Sequence, residues 1–244
     1  MPHETALIAT IALGLTFALL LGLAARAVRL PTIVGYLAAG VALGPYTPGF
    51  VGDIAAAQQL AEIGVILLMF GVGLHFSPRE LADARGVALP GALLQMACAT
   101  VLGGNAGIAL TVLLTLGKVA AFVALMLVVG ARVLPWALSW VGRLRSRELF
   151  SLAALVSALG VAYIAYVLFG VSFALGAFLA GLVLGQSTLS QKAAEQTLPL
   201  RDAFAVLFFV AVGMLFDPAM LIEQPWPLLA TVVLITVVRT GVSV

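Results

Sequence analysis

The chain has 244 residues, 63% of them apolar and only 9% charged, with a mean hydropathy of +1.20. A soluble domain carries about a quarter charged residues, so these figures exclude one and point to an all-α polytopic membrane protein. The net charge of +2, from Lys and Arg scattered between apolar runs, argues against a nucleic-acid partner.

A spanning helix needs about 20 mostly apolar residues. On that ruler the sequence predicts nine segments, centred near residues 15, 38, 67, 96, 122, 158, 179, 209 and 235. The first run, residues 5 to 25, is long for a signal core and is preceded by His3 and Glu4 rather than by a basic region, so it reads as a permanent helix. The second, Thr32 to Gly44, is short and rich in glycine, which suits partial insertion or tight packing. Pro31 and Pro199 stand where helices are expected to begin; Pro45, Pro78 and Pro218 follow expected ends. Residues 86 to 117 hold no charge, and "LGGNAG" at 102 to 107 separates the fourth segment from the fifth. The one cysteine, Cys98, lies in that apolar run and has no partner for a disulfide.

Two consecutive elements are written twice. "LAEIGVILLMFGVGLHFSPREL" (60 to 81) returns as "LRDAFAVLFFVAVGMLFDPAML" (200 to 221), keeping Leu60/Leu200, Glu62/Asp202, Leu67/Leu207, Val72/Val212, Gly73/Gly213, Phe76/Phe216, Pro78/Pro218 and Leu81/Leu221. "GYLAAGVALGP" (35 to 45) returns as "GAFLAGLVLGQ" (176 to 186), keeping Gly35/Gly176, Ala39/Ala180, Gly40/Gly181, Leu43/Leu184 and Gly44/Gly185. Repeat one is placed at about 5–103 and repeat two at about 148–244 of a single transmembrane domain covering 1–244.

Loop charge gives an independent guide to topology, since Lys and Arg accumulate on the cytoplasmic side. Arg26 and Arg29 follow segment one, Arg79 and Arg85 segment three, Arg132, Arg143, Arg145 and Arg147 segment five, and Lys192 and Arg201 segment seven. The even loops carry Asp53, Asp217 and Glu223 instead. This places the N-terminus outside and the C-terminus in the cytoplasm. Segments two and three recur as seven and eight, and that odd displacement turns the second copy upside down, the arrangement of inverted-repeat secondary transporters.

Gly40 and Gly44, and Gly181 and Gly185, are small residues four apart that let helix backbones approach closely in lipid. Intramembrane ionisable residues are costly and therefore candidates for transport. Lys118 either compensates a carboxylate or snorkels to the interface. Glu62 and Asp202, at the start of the duplicated helices, either complement the helix dipole from the first turn or funnel cations, with Arg201 set to pair locally with Asp202. Arg239 is either an embedded charge or a cytoplasmic anchor. His75 and His3 are the only histidines, so no metal site is expected, and no nucleophile elbow, phosphate loop or cofactor motif points to an enzyme.

At "LPTIVGYLAAGVALGP", "LAEIGVILLMFGVGLHFSPREL", "VSFALGAFLAGLVLGQS" and "LPLRDAFAVLFFVAVGMLFDP" the sequence resembles the Kef-type members of the monovalent cation:proton antiporter-2 family. The resemblance implies a bacterial inner-membrane antiporter that exchanges potassium or sodium for protons, with about thirteen helices in inverted repeats. It requires no cofactor; the expected partners are the cation, protons, the lipid bilayer and a second copy of the chain in a homodimer. Two departures stand out. The family's helix pair between segments four and five, which holds an unwound helix and the acidic ion-binding residue, has no counterpart, and neither do the helices expected after Val244. Arg239 is near the family's basic residue in its antepenultimate helix. A non-transporting membrane scaffold or dimerisation remnant is the alternative expectation.

Overall fold

A computed structural model describes residues 3–47, 52–76 and 106–219. The helices are α1 (His3–Ala27), α2 (Thr32–Leu43), α3 (Ile54–His75), α4 (Ala106–Leu125), α5 (Ala131–Arg143), α6 (Arg147–Phe169), α7 (Phe173–Gly185) and α8 (Ser190–Met214). A π-helical turn, Met126–Gly130, joins α4 to α5 without a break. Seven predicted segments are thus accounted for. The two centred near 96 and 235, with Cys98 and Arg239, lie outside the described residues.

Five helical stretches are long and apolar enough to cross a membrane, making this a multi-pass membrane protein: Ile8–Ala27, Ile54–His75, Leu114–Arg143, Arg147–Phe169 and Ser190–Met214. The duplicated short helices α2 and α7 have 12 and 13 residues. At 1.5 Å per residue they reach about 20 Å, less than a hydrocarbon core of about 30 Å. Caps fix several ends. Ser146 and Ser172 accept hydrogen bonds from the N–H groups of Leu149 and Leu175, each at 3.3 Å. Gly170, at φ 65°, closes α6 in the left-handed conformation that glycine tolerates.

Two helices begin earlier than the hydropathy ruler places them. Residues 54 to 59, "IAAAQQ", and 190 to 198, "SQKAAEQTL", are too polar to register as lipid-spanning, yet Ala, Gln, Glu and Lys are good helix formers. Pro199 therefore lies inside α8 rather than at its start. Arg132, expected in a loop, is inside α5.

The chain divides into two compact units: residues up to 61 with those from 206 onward, and residues 62–205. The first has a small core of Ala18, Ala39, Leu43, Ala57, Val210, Ala211 and Met214. The second has a larger one, with Phe70, Phe122, Phe150, Leu138 and Leu184 fully buried. α3 begins in the first unit and ends in the second; α8 does the reverse.

Candidate functional site

Each unit is built around one crossing of helices on glycine. In the first, α2 meets the end of α8: the Cα of Gly213 lies 2.7 Å from where a Cβ on Gly40 would stand, and the Cα of Gly40 lies 2.9 Å from that of Gly213. A methyl on Gly40 would strike the Val210 carbonyl oxygen, one on Gly213 the Leu37 carbonyl oxygen, and one on Gly44 would stand 2.9 Å from the Met214 carbonyl oxygen.

In the second unit, α7 meets the end of α3 in the same way. Gly181 and Gly73 would each place a Cβ 3.0 Å from the other's Cα. A methyl on Gly181 would strike the Phe70 carbonyl oxygen, one on Gly73 the Phe178 carbonyl oxygen, and one on Gly185 would stand 2.7 Å from the Leu74 carbonyl oxygen. Gly40/Gly181, Gly44/Gly185 and Gly73/Gly213 are pairs of the sequence repeat, and Val210, Met214 and Leu37 fall opposite Phe70, Leu74 and Phe178 at the same offsets. One crossing is therefore made twice, contact for contact. Each joins the short helix of one repeat to the long helix of the other.

A third pair extends the correspondence. Gly35 seats α2 on Leu21 and Gly22 of α1, and Gly176 seats α7 on Val161, Ala162 and Ala165 of α6. Close backbone approach supplies the dispersion contacts that hold helices together where lipid is as apolar as the side chains. The sequence marked the glycines of the short helices. Gly73 and Gly213, on the long ones, were visible only as repeated letters, because a single small residue has no spacing signal.

The ionisable candidates stand elsewhere. Neither α3 nor α8 has an acid in its first turn, so a dipole role for Glu62 and Asp202 does not hold: they sit in the third and fourth turns, and both are exposed. Asp202 pairs with Arg201, Nη2 to Oδ1 at 2.9 Å. The stem of Arg201 crosses the face of α3, its Cδ 2.9 Å from the position of a Cβ on Gly71. Nothing in the sequence announces that contact, since Gly71 belongs to no repeated pair. Lys118 is exposed in the fourth turn of α4 and makes no ion pair among the described residues.

No carboxylate is buried among the described side chains; the buried polar residues are Thr10, Ser157 and Thr197. No group of three or more His, Cys, Asp or Glu is gathered among the described residues.

Each unit has contacts that tie helix ends to turns. In the second, cavities of about 370 and 270 Å³ join His75 to Ser190, Gln191 and Glu195, and Pro135 of α5 to Gln186 and Ser187. Ser151 donates to Gln196 at 2.9 Å, and Lys192 lies 4.5 Å from the centre of the Phe150 ring. The end of α3 and the middle of α5 thus each meet the turn between α7 and α8 or the start of α8. In the first unit the Asp53 N–H donates to Thr10 Oγ1 at 3.0 Å, and Met214 packs against Gly52 and Gly44. The acidic loop after α2 is thereby tied to the start of α1 and the end of α8.

The family described as sodium/hydrogen exchanger, transmembrane, matches residues 13–117 and 106–244. The chain is 43% identical over 312 positions to a candidate cation/proton antiporter, YbaL, of Escherichia coli (strain K12), covering 96% of this chain and 56% of that protein. It is 30% identical over 312 positions to the glutathione-regulated potassium-efflux system protein KefC of Enterobacter sp. (strain 638), covering 99% and 50%. It is 29% identical over 295 positions to K(+) efflux antiporter 4 of Arabidopsis thaliana, covering 91% and 50%. The chain spans about half the length of these relatives.

Alignments of 312 positions against a chain of 244 residues leave at least 68 positions of YbaL and KefC without a counterpart. The two family matches overlap at 106–117, the beginning of α4, next to the junction at which the sequence suggested an absent helix pair. A gap of that size accommodates two spanning helices of about 20 residues each with their connections. With all segments of the resemblance inside the two matched regions, the chain belongs to the sodium/hydrogen exchanger transmembrane family.

Proposed function

We propose that this chain forms part of the membrane domain of a secondary antiporter exchanging a monovalent cation, potassium or sodium, for protons across a bacterial inner membrane. The duplicated glycine crossing carries this reading. Transporters of this kind use two related repeats of opposite polarity around a midplane site, reached alternately from each side. Crossings made from backbone alone suit rigid bundles, since backbone contacts have no rotamers to rearrange. In the complete mechanism one buried carboxylate is protonated and binds the cation in alternation. The basic ends face the cytoplasm, the N-terminus lies outside, and the working form is a homodimer.

The break at the start of α4 and the lack of a buried carboxylate among the described side chains favour a second reading, a membrane scaffold that does not transport. Purified protein in vesicles loaded with a pH-sensitive dye separates the two. Antiport predicts a cation-dependent proton flux on a potassium or sodium jump. A silent preparation with intact helical circular dichroism would leave the scaffold standing.

A further inference from the structure

The helix α5 carries a face that the glycine crossings leave unexplained. Leu134, Leu138 and Val141 pack inward on the core of the second unit. Arg132, Trp136, Trp140 and Arg143, spaced four, four and three residues apart, fall on the opposite side. The two tryptophans are 68% and 59% exposed. Arg145 and Arg147 follow, so that residues 132–148 contain four arginines, all exposed, against one acid, Glu148.

Helix length fixes the depth of this face. The helix runs without a break from Ala106 through the π turn to Arg143, in stretches of 20, 5 and 13 residues, about 57 Å at 1.5 Å per residue, whereas the hydrocarbon core is about 30 Å thick. Residues 119 to 131 are uncharged. The surplus length is the arginine-bearing end, which stands in the headgroup layer. Tryptophan rings rest at that level, and guanidinium groups there pair with phosphate.

We propose that this face binds anionic phospholipid, with the tryptophan rings at the boundary of acyl chain and headgroup and the arginines on the phosphates. Charge selects the lipid, because a cluster of arginines at the end of a spanning helix concentrates anionic headgroups. A cavity against the same helix has an apolar wall of Leu127, Ala131, Pro135, Leu182 and Val183, with Gln186 and Ser187 completing its lining, and that wall offers room for the upper part of an acyl chain. The binding is independent of ion exchange and belongs to this chain whether or not it transports.

The chain holds three tryptophans, Trp136, Trp140 and Trp226, so Trp226→Phe leaves fluorescence from the proposed face alone. In vesicles of phosphatidylcholine with a minor share of phosphatidylglycerol, either lipid is supplied brominated as a quencher. At low salt brominated phosphatidylglycerol should quench about threefold more per mole than brominated phosphatidylcholine, and molar salt should remove the difference. Replacing Arg132, Arg143, Arg145 and Arg147 by Gln should equalise the two lipids, while Lys at the same positions should keep the preference. If the Gln variant fails to insert, the salt series on the parent decides the matter. Equal quenching per mole at low salt, or no quenching by either lipid because protein covers the face, would overturn the proposal.

Discussion

The crossing of α7 on α3 and the crossing of α2 on α8 have the same backbone contacts but very different surroundings. Around α7, residues Gly176, Ala177 and Leu179 through Leu184 are all buried. An edge-to-face pair of Phe76 and Phe178, with ring centres 5.7 Å apart, closes the crossing. Around α2 only Gly35, Ala39, Gly40 and Leu43 are buried, and Ile33 and Val34 are exposed. The corresponding ring, Phe216, is 42% exposed, and Leu37 takes the place of Phe178. Glycine sets how closely two helices approach. The neighbours set how much that approach can be disturbed.

The sharpest break of this equivalence should come from Gly181→Val. The new side chain meets the Phe70 backbone inside a crowded core, and overpacking of this kind costs about 3 kcal/mol or more. Loss of the monodisperse peak in detergent gel filtration would register it. Gly40→Val creates the same collision, but α2 has an exposed far side and can shift, so a milder loss of about 1–2 kcal/mol is expected in thermal unfolding. Equal damage at both glycines would mean that the surroundings do not matter.

Phe178→Leu gives the second crossing the residue present in the first and removes the aromatic pair. It should cost about 0.5–1.5 kcal/mol beyond the lost area, and Leu37→Phe should not recover a comparable amount. Asp202→Asn breaks an ion pair whose carboxylate is 61% exposed, and less than about 1 kcal/mol should follow. At the bottom of the scale stands Gly160→Ala. No atom beyond the local helix backbone lies within 4 Å of the new methyl, so stability to unfolding should be unchanged or raised by at most about 1 kcal/mol.

Hydropathy reveals lipid, and wherever a helix is also apolar the sequence makes it visible: the centres expected near 15, 38, 158 and 179 coincide with those of α1, α2, α6 and α7. It fails where a helix leaves the apolar layer. The Gln- and Ala-rich start of α3 and the Lys- and Glu-bearing start of α8 are helical for reasons of propensity, which moved Glu62 and Asp202 away from the helix ends. The π turn at Met126–Gly130 leaves no pattern in an apolar run, because inserting one residue per turn changes register and not composition. The crossings were half legible. Glycines four apart on the short helices announced a packing face, while their partners Gly73 and Gly213 needed the structure to be recognised as such.

The proposed antiport rests on an inverted repeat, expected from the alternation of loop charge, in which the two copies enter the membrane with opposite polarity. In a Cys98→Ala background, single cysteines at Tyr46, in the turn after α2, and at Thr188, in the turn after α7, report on the corresponding turns of the two copies. A membrane-impermeant thiol reagent applied to intact cells should modify the cysteine at 46 and reach the one at 188 only after the membrane is opened. Labelling of both from the same side would contradict the account.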